Sequence, residues 1–198
     1  MDSPRDCALA LAFPLDRAEF MRSIETEPPY GFVRQWLARF SGYPVELLWQ
    51  DYAPIAAYAK ELAEEAAAAG VLVEKEATLS GWLKLLNARR ITSLVAHWAE
   101  QEVDLIQFAG GFVPLAECIK SMPTNFSGLL DLTVCHSSRF IDQIKRQRPA
   151  SAILANRNVA RLGVRLAMYR QVLRLLATGQ YTFIDAMRKI HRSGLEEL

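Results

Sequence analysis

Residues 91–97 read ITSLVAH and residues 128–135 read GLLDLTVC. Each is a short, almost unbroken apolar run, the pattern of a strand buried on both faces rather than the alternation of a half-exposed one. Each also ends on a residue with chemistry to offer, His97 in the first and Cys135 in the second. The stretches on either side of these runs carry helical periodicity. Strands alternating with helices of about ten or more residues imply crossover connections, and therefore an α/β domain built on a mostly parallel sheet.

Working outward toward the N-terminus, residues 7–13 (CALALAF) form another continuous apolar run and predict a buried strand. Residues 17–40 are helical in pattern, with Phe20, Ile24, Phe32, Trp36 and Phe40 as anchors, and Pro28-Pro29 must divide them into two helices. Ser41-Gly42-Tyr43-Pro44 predicts a turn, residues 45–49 a short strand, and residues 54–69 a strong helix closed by Gly70. Residues 71–76 read as a strand, and Ser80 as the cap of a helix over 81–88.

Toward the C-terminus, residues 103–108 predict a strand running into a Gly110-Gly111 turn, and residues 115–120 a short helix. Helices are expected over 138–147, 159–177 and 181–193, the last capped by Thr182, with a short strand at 152–155. No linker, repeat or break in composition divides the 198 residues, so a single domain spanning 1–198 is expected. With 51% hydrophobic and 23% charged residues, the composition is that of a chain that buries a core, not of a disordered one.

No stretch is long and apolar enough to span a bilayer. The early run at residues 8–13 makes a poor signal peptide, since Asp2 and Asp6 sit where positive charge belongs. The three cysteines, Cys7, Cys118 and Cys135, have no framework spacing, so a cytoplasmic, reducing setting is expected. The net charge of +1 hides an asymmetry. Residues 1–138 carry 11 basic and 18 acidic side chains, whereas residues 139–198 carry 12 and 4. Such a polarity can guide an acidic partner, or the two parts can neutralise each other within the fold.

In open α/β sheets, ligands and reactive groups collect beyond the carboxyl ends of the strands. If the strands ending at His97 and Cys135 are parallel neighbours, both side chains meet at that edge. A free thiol, with a pKa of about 8.5, needs a neighbour such as histidine or a helix N-terminus to become a thiolate at neutral pH. His97 is the first candidate, and the helix expected just after Ser138 is the second. The plain alternatives are a buried structural cysteine and a satisfied strand-end histidine. The joint placement favours a catalytic dyad. His136 points away from Cys135 along a strand, so a structural role is expected for it, and Cys7 and Cys118 read as packing residues.

The segment DLTVCHSS, residues 131–138, resembles the nucleophile motif of the caspase-like cysteine peptidases, and its Cys-His-Ser triplet resembles that of metacaspases. ITSLVAH is similar to the histidine strand of that family, and the short strand, Gly110-Gly111 turn and following helix resemble the layout of CHAT domains, a compact bacterial branch. The resemblance covers residues 91–190 well and the first ninety by element order. It implies a caspase–hemoglobinase-like three-layer sandwich, a mostly parallel central sheet with helices on both faces. It implies a cysteine endopeptidase acting on a specific protein, with Cys135 as nucleophile and His97 as general base and acid. The oxyanion would be met by the backbone N–H groups of Trp98 and Cys135, and the setting would be a bacterial stress or defence system. Trp98 stands where the family usually has glycine. Thr133 stands where metacaspases carry the aspartate that receives a basic side chain, so no preference for arginine or lysine is implied.

The second reading is an inactive interaction module of the same fold, binding its partner through the basic C-terminal helix. Arg157, Arg161 and Arg165 are spaced four apart and predict one stripe on that helix, a docking surface for an acidic protein; Arg170 and Arg174 form a second pair. No aromatic residues are interleaved with the arginines, so nucleic acid is not expected as a partner. A metal site from His97, Cys118, Cys135 and His136 lacks C-x-x-C or H-x-x-x-H spacing, and no glycine-rich phosphate loop is present. No cofactor and no metal are therefore expected.

Overall fold

The computed structural model describes residues 1–39, 44–157 and 161–196. Its centre is a five-stranded, wholly parallel sheet in the order β2-β1-β3-β7-β8. These strands are β1 (Cys7–Ala12), β2 (Leu72–Lys75), β3 (Ile91–Ala96), β7 (Leu129–Thr133) and β8 (Ala152–Ala155). β1, β3 and β7 are buried along nearly their whole length, which is why their sequences show no alternation.

Alternate residues of the strands feed two separate cores. Cys7, Leu9 and Leu11 pack with α1 (Arg17–Thr26), α2 (Phe32–Arg39), α3 (Val45–Ala68), α7 (Leu162–Ala177) and α8 (Phe183–Glu196). Ala8, Ala10 and Ala12 face the opposite way, toward α4 (Leu79–Ala88), α5 (Leu115–Ser121) and α6 (Ile141–Gln147). The domain is thus α/β, with helices covering both faces of a parallel sheet. No helix among the described residues is long and apolar enough to cross a membrane.

Three departures from the sequence reading have physical causes. Residues 45–49, read as a strand, are the first turn of α3, which runs unbroken to Ala68 through Pro54. Leu48, Tyr52, Ala56 and Ala59 keep a helical period across the proline and are all buried, so packing outweighs the lost backbone bond. The cap of α4 is Thr78 rather than Ser80: its hydroxyl accepts the Gly81 N–H at 3.0 Å. The run at 103–108 is β5 (Asp104–Phe108), the middle of a separate antiparallel sheet with β4 (Trp98–Glu100) and β6 (Gly111–Pro114). This small sheet hangs off the carboxyl end of β3 and walls one side of the site.

Three further expectations are trimmed at their ends. The helix expected from Ser138 opens with a 3-10 turn, Ser137–Phe140, before α6. The turn expected at 41–44 lies, but for Pro44, outside the described residues, as does the expected start, at 159–160, of the helix that becomes α7. Thr182 does cap α8, accepting the Asp185 N–H at 3.1 Å.

Candidate functional site

β3 and β7 are parallel neighbours, paired from Ile91↔Leu129 to Val95↔Thr133. His97 follows β3 by one residue and Cys135 follows β7 by two, so both lie just beyond the carboxyl ends of paired strands. Both residues therefore emerge at the carboxyl edge of the sheet, where they line the same cavities. Chain order strengthens the placement. From β1 the chain moves outward to β2, then returns to the other side of β1 for β3, and such a reversal opens a crevice between the carboxyl ends of β1 and β3, the side on which Phe13 and His97 border the smaller cavity.

Both residues are half-buried and line the same two connected cavities. The larger, about 600 Å³, lies between α2, α3, the start of α7 and β4, and is also lined by Trp36, Ile55, Trp98 and His136. The smaller, about 50 Å³, is its floor, formed by Phe13, Val95 and Thr133. Phe32, His97, Cys135 and Leu162 border both.

His97 is oriented by groups that its own strand does not supply. Its Nε2–H donates to the Tyr30 carbonyl at 2.9 Å. A carbonyl can only accept, so Nε2 carries the proton and Nδ1 is left as the basic nitrogen. The ring sits among Phe32 and Phe112, with centroids 6.0 and 6.5 Å away. The Tyr30 segment is itself clamped by buried Gln107: Gln107 Oε1 accepts the Phe32 N–H at 2.8 Å, its Nε2 donates to Glu27 Oε1 at 2.6 Å, and its N–H donates to the His97 carbonyl at 2.9 Å. Glu27 Oε2 then accepts the Val33 N–H at 2.8 Å, holding the first turn of α2.

Cys135 lies on a tight turn after β7. His136 adopts the left-handed conformation, φ 52°, which swings the chain away from the strand direction. Its Nδ1 lies 3.1 Å from the Arg157 carbonyl and its ring meets Trp98 edge-on; contrary to the expectation that it points away along a strand, it sits on a turn and lines the larger cavity together with Cys135. The turn is pinned from below by Ser137, whose hydroxyl donates to the Leu132 carbonyl at 2.9 Å and accepts the Asn156 N–H at 2.8 Å. Buried Asn156 donates through Nδ2 to the Leu132 and Val134 carbonyls, both at 3.3 Å, and its Oδ1 accepts from Arg165.

Trp98 lines the cleft without filling it. Its indole N–H donates to Asp104 at 2.9 Å and its ring turns toward Phe140. Because the Gln107 N–H bonds the His97 carbonyl, Trp98 and Ile106 face each other as a non-hydrogen-bonded pair, and the Trp98 N–H points away from β5.

Beneath Cys135 runs a sealed polar network. Asp131 and Thr133 are alternate residues of β7, and Cys135 follows two residues beyond the end of that strand. Tyr169 of α7 donates to Asp131 and lies 2.9 Å from the Thr133 hydroxyl, and Ser93 donates to Asp131 at 3.4 Å. Burial pushes the Asp131 carboxyl up to about 6, against the pull of Tyr169, Arg165 and Ser93 toward the ionised form. Cys7 and Cys118 are different in kind from Cys135. Burial raises both thiols to about 12, which leaves them inert packing residues.

The arginine stripe does not form. Arg157 lies on a bend before the helix, Arg161 is the residue preceding α7, and within the helix there is Arg165, which is turned to Asn156. Four-residue spacing makes a stripe only where the backbone is helical, and α7 starts at Leu162. Arg170 pairs with Glu61 and Glu65 of α3, so part of the charge asymmetry is neutralised inside the fold. Cys118 packs beneath α4, α5 and α6 and does not line the cavities of His97 and Cys135, and no group of three or more metal-ligating side chains occurs among the described residues.

No protein-family model matches the chain, and no curated protein matches it.

Sequence reasoning named His97, Cys135 and Trp98 but not Tyr30, Gln107, Ser137, Asn156 or Tyr169. Tyr30 acts through its backbone, which carries no side-chain signal. Gln107 lies on the short strand β5, Ser137 in the turn just after β7, and Asn156 and Tyr169 lie far in sequence from the strand they serve.

Proposed function

We propose that this chain is a cysteine endopeptidase of the caspase-like type, acting on a protein substrate through Cys135 and His97. The observation that supports this reading is that His97 and Cys135, which follow the neighbouring strands β3 and β7, line a single cleft. The sandwich of helices about a parallel sheet suits the caspase–hemoglobinase-like topology, and the half-buried thiol suits a nucleophile better than a packing residue.

In the proposed reaction His97 Nδ1 takes the thiol proton as Cys135 Sγ attacks the peptide carbonyl carbon. The C–N bond then breaks, and the same proton passes from His97 to the departing amine. A thioester remains. Water, deprotonated by His97, attacks that thioester, the C–S bond breaks, and the proton returns to the thiolate. Asp131 takes no part: it is walled off by Tyr169 and Ser93. The Tyr30 carbonyl fixes the histidine tautomer, and backbone N–H groups at Trp98 and Cys135 are the oxyanion donors this reading assigns.

A diverse peptide library read by mass spectrometry tests the reading. The wild-type chain is expected to cut a subset of sequences, and Cys135→Ala none. Cleavage retained by a folded Cys135→Ala variant would sink the proposal, as would a folded wild type that cuts nothing.

A further inference from the structure

We infer that the cleft over Cys135 selects a peptide whose residue at the attacked carbonyl carries a bulky, uncharged apolar side chain. This rests on the proposed role of Cys135. The argument is one of available counter-charge. Next to the thiol, the walls are Phe32, Trp36, Ile55 and Leu162, contributed by α2, α3 and α7. The floor is Phe13 and Val95, and its hydroxyl, Thr133, is already engaged from below by Tyr169 at 2.9 Å.

Among the described residues lining the cleft, those with a permanent charge are Glu100 and Arg161. Glu100 is turned out to solvent, 61% exposed, and pairs with Arg139 at 3.1 Å. Arg161 is exposed at the mouth. The buried carboxylate nearest in sequence, Asp131, is 4% exposed and shielded by Tyr169 and Thr133. A lysine, arginine, aspartate or glutamate side chain entering this space would lose its water and find no buried partner. An apolar one would lose nothing and displace poorly held water. A cavity of about 600 Å³ also lies within the usual range for sites that enclose a drug-sized ligand, so side-chain bulk is accommodated rather than refused.

Four tripeptidyl acyloxymethyl ketones test this, identical except for Phe, Leu, Asp or Arg at the residue bearing the ketone. The thiolate displaces the carboxylate of each probe and leaves a thioether on Cys135, counted by intact mass and peptide mapping of the full chain. Rates are divided by the iodoacetamide rate at the same residue. The Phe and Leu probes are expected to react at least about tenfold faster than the Asp and Arg probes. Equal rates, a faster charged probe, or no labelling by any of the four while iodoacetamide still alkylates Cys135 would each overturn the inference. The dyad itself fails on a separate arm, an iodoacetamide rate unchanged in His97→Gln, and the ratio among probes is still read in that case.

Two variants place a half-buried carboxylate in the wall, Ile55→Glu on α3 and Leu162→Glu at the start of α7. Each is expected to raise the Arg-to-Phe rate ratio several-fold. An unchanged ratio in both overturns the inference. If Ile55→Glu does not fold, Leu162→Glu decides alone.

Discussion

Replacing Asp131 by asparagine exposes the cost of the carboxyl group under the site. In the folded chain that carboxyl titrates near about 6, against an ordinary value of 3.8. The folded state therefore holds the proton more tightly than the unfolded chain does. Below 3.8 both states are protonated and nothing is lost. As pH rises from 3.8 to about 6 the unfolded chain ionises first, and stability falls across that window. Above it the loss is complete, about 3 kcal/mol for a difference of about two pH units. Asparagine keeps the shape and still accepts from Tyr169 and Ser93, but it does not titrate. Tyr169 stays protonated throughout, because burial and the neighbouring carboxyl hold its phenol well above the usual range. Urea unfolding followed by fluorescence of the four tryptophans gives the free energies of both proteins. The advantage of Asp131→Asn over wild type is expected to grow by roughly 2–2.5 kcal/mol between about pH 4 and about pH 7.5. A difference flat to within about 0.5 kcal/mol, or one that shrinks, refutes the reasoning: the carboxylate would then be held ionised by Arg165 and the two hydroxyl donors.

Further outcomes follow from the same geometry. Iodoacetamide at about pH 8 is expected to modify Cys135 alone in the folded chain, since the Cys7 and Cys118 thiols are buried and raised to about 12; adducts on either, found by peptide mapping, contradict the assignment. His97→Gln is expected to lower peptide cleavage by about 10²-fold or more, measured as kcat/KM on any peptide the wild type cuts. Asn156→Ala strips the Leu132 and Val134 carbonyls of a buried donor, so chemical denaturation is expected to show a loss of about 2–4 kcal/mol. A loss well under about 1 kcal/mol would mean the turn after β7 does not depend on Asn156.

The parallel sheet was legible because burial on both faces leaves the same signature in each strand, a run without alternation. That signature survives in CALALAF, ITSLVA and LLDLT whatever surrounds them. The site pair was legible for a related reason, because strand ends converge at one edge of such a sheet. The antiparallel sheet was not: β4 and β6 are three and four residues long and pair only with β5, so local pattern is too short to announce them. The opening of α3 was misread because Val45-Glu46-Leu47 alternates locally, while the period that matters links Leu48, Tyr52 and Ala56 across Pro54. The arginine stripe failed on the same ground in reverse: spacing was right and backbone was not.

What surrounds the pair is more specific than what forms it. Gln107 and Glu27 hold the α1–α2 joint, and with it the Tyr30 carbonyl, against His97. Asp131 and Tyr169 bind β7 to α7, the helix whose start brings Leu162 to the cleft. Buried polar groups cost stability unless every member is satisfied, and here each clamp is met by partners from a different element. What such an arrangement fixes is relative position: the histidine strand to one set of helices, the cysteine strand to another. A half-buried thiol and an imidazole of set tautomer at adjacent strand ends require that precision if a substrate carbonyl is to fit between them. The clamps therefore predict a separation of effects. Loosening Gln107 should disturb the histidine while leaving thiol exposure intact, and loosening Asn156 or Tyr169 should do the reverse.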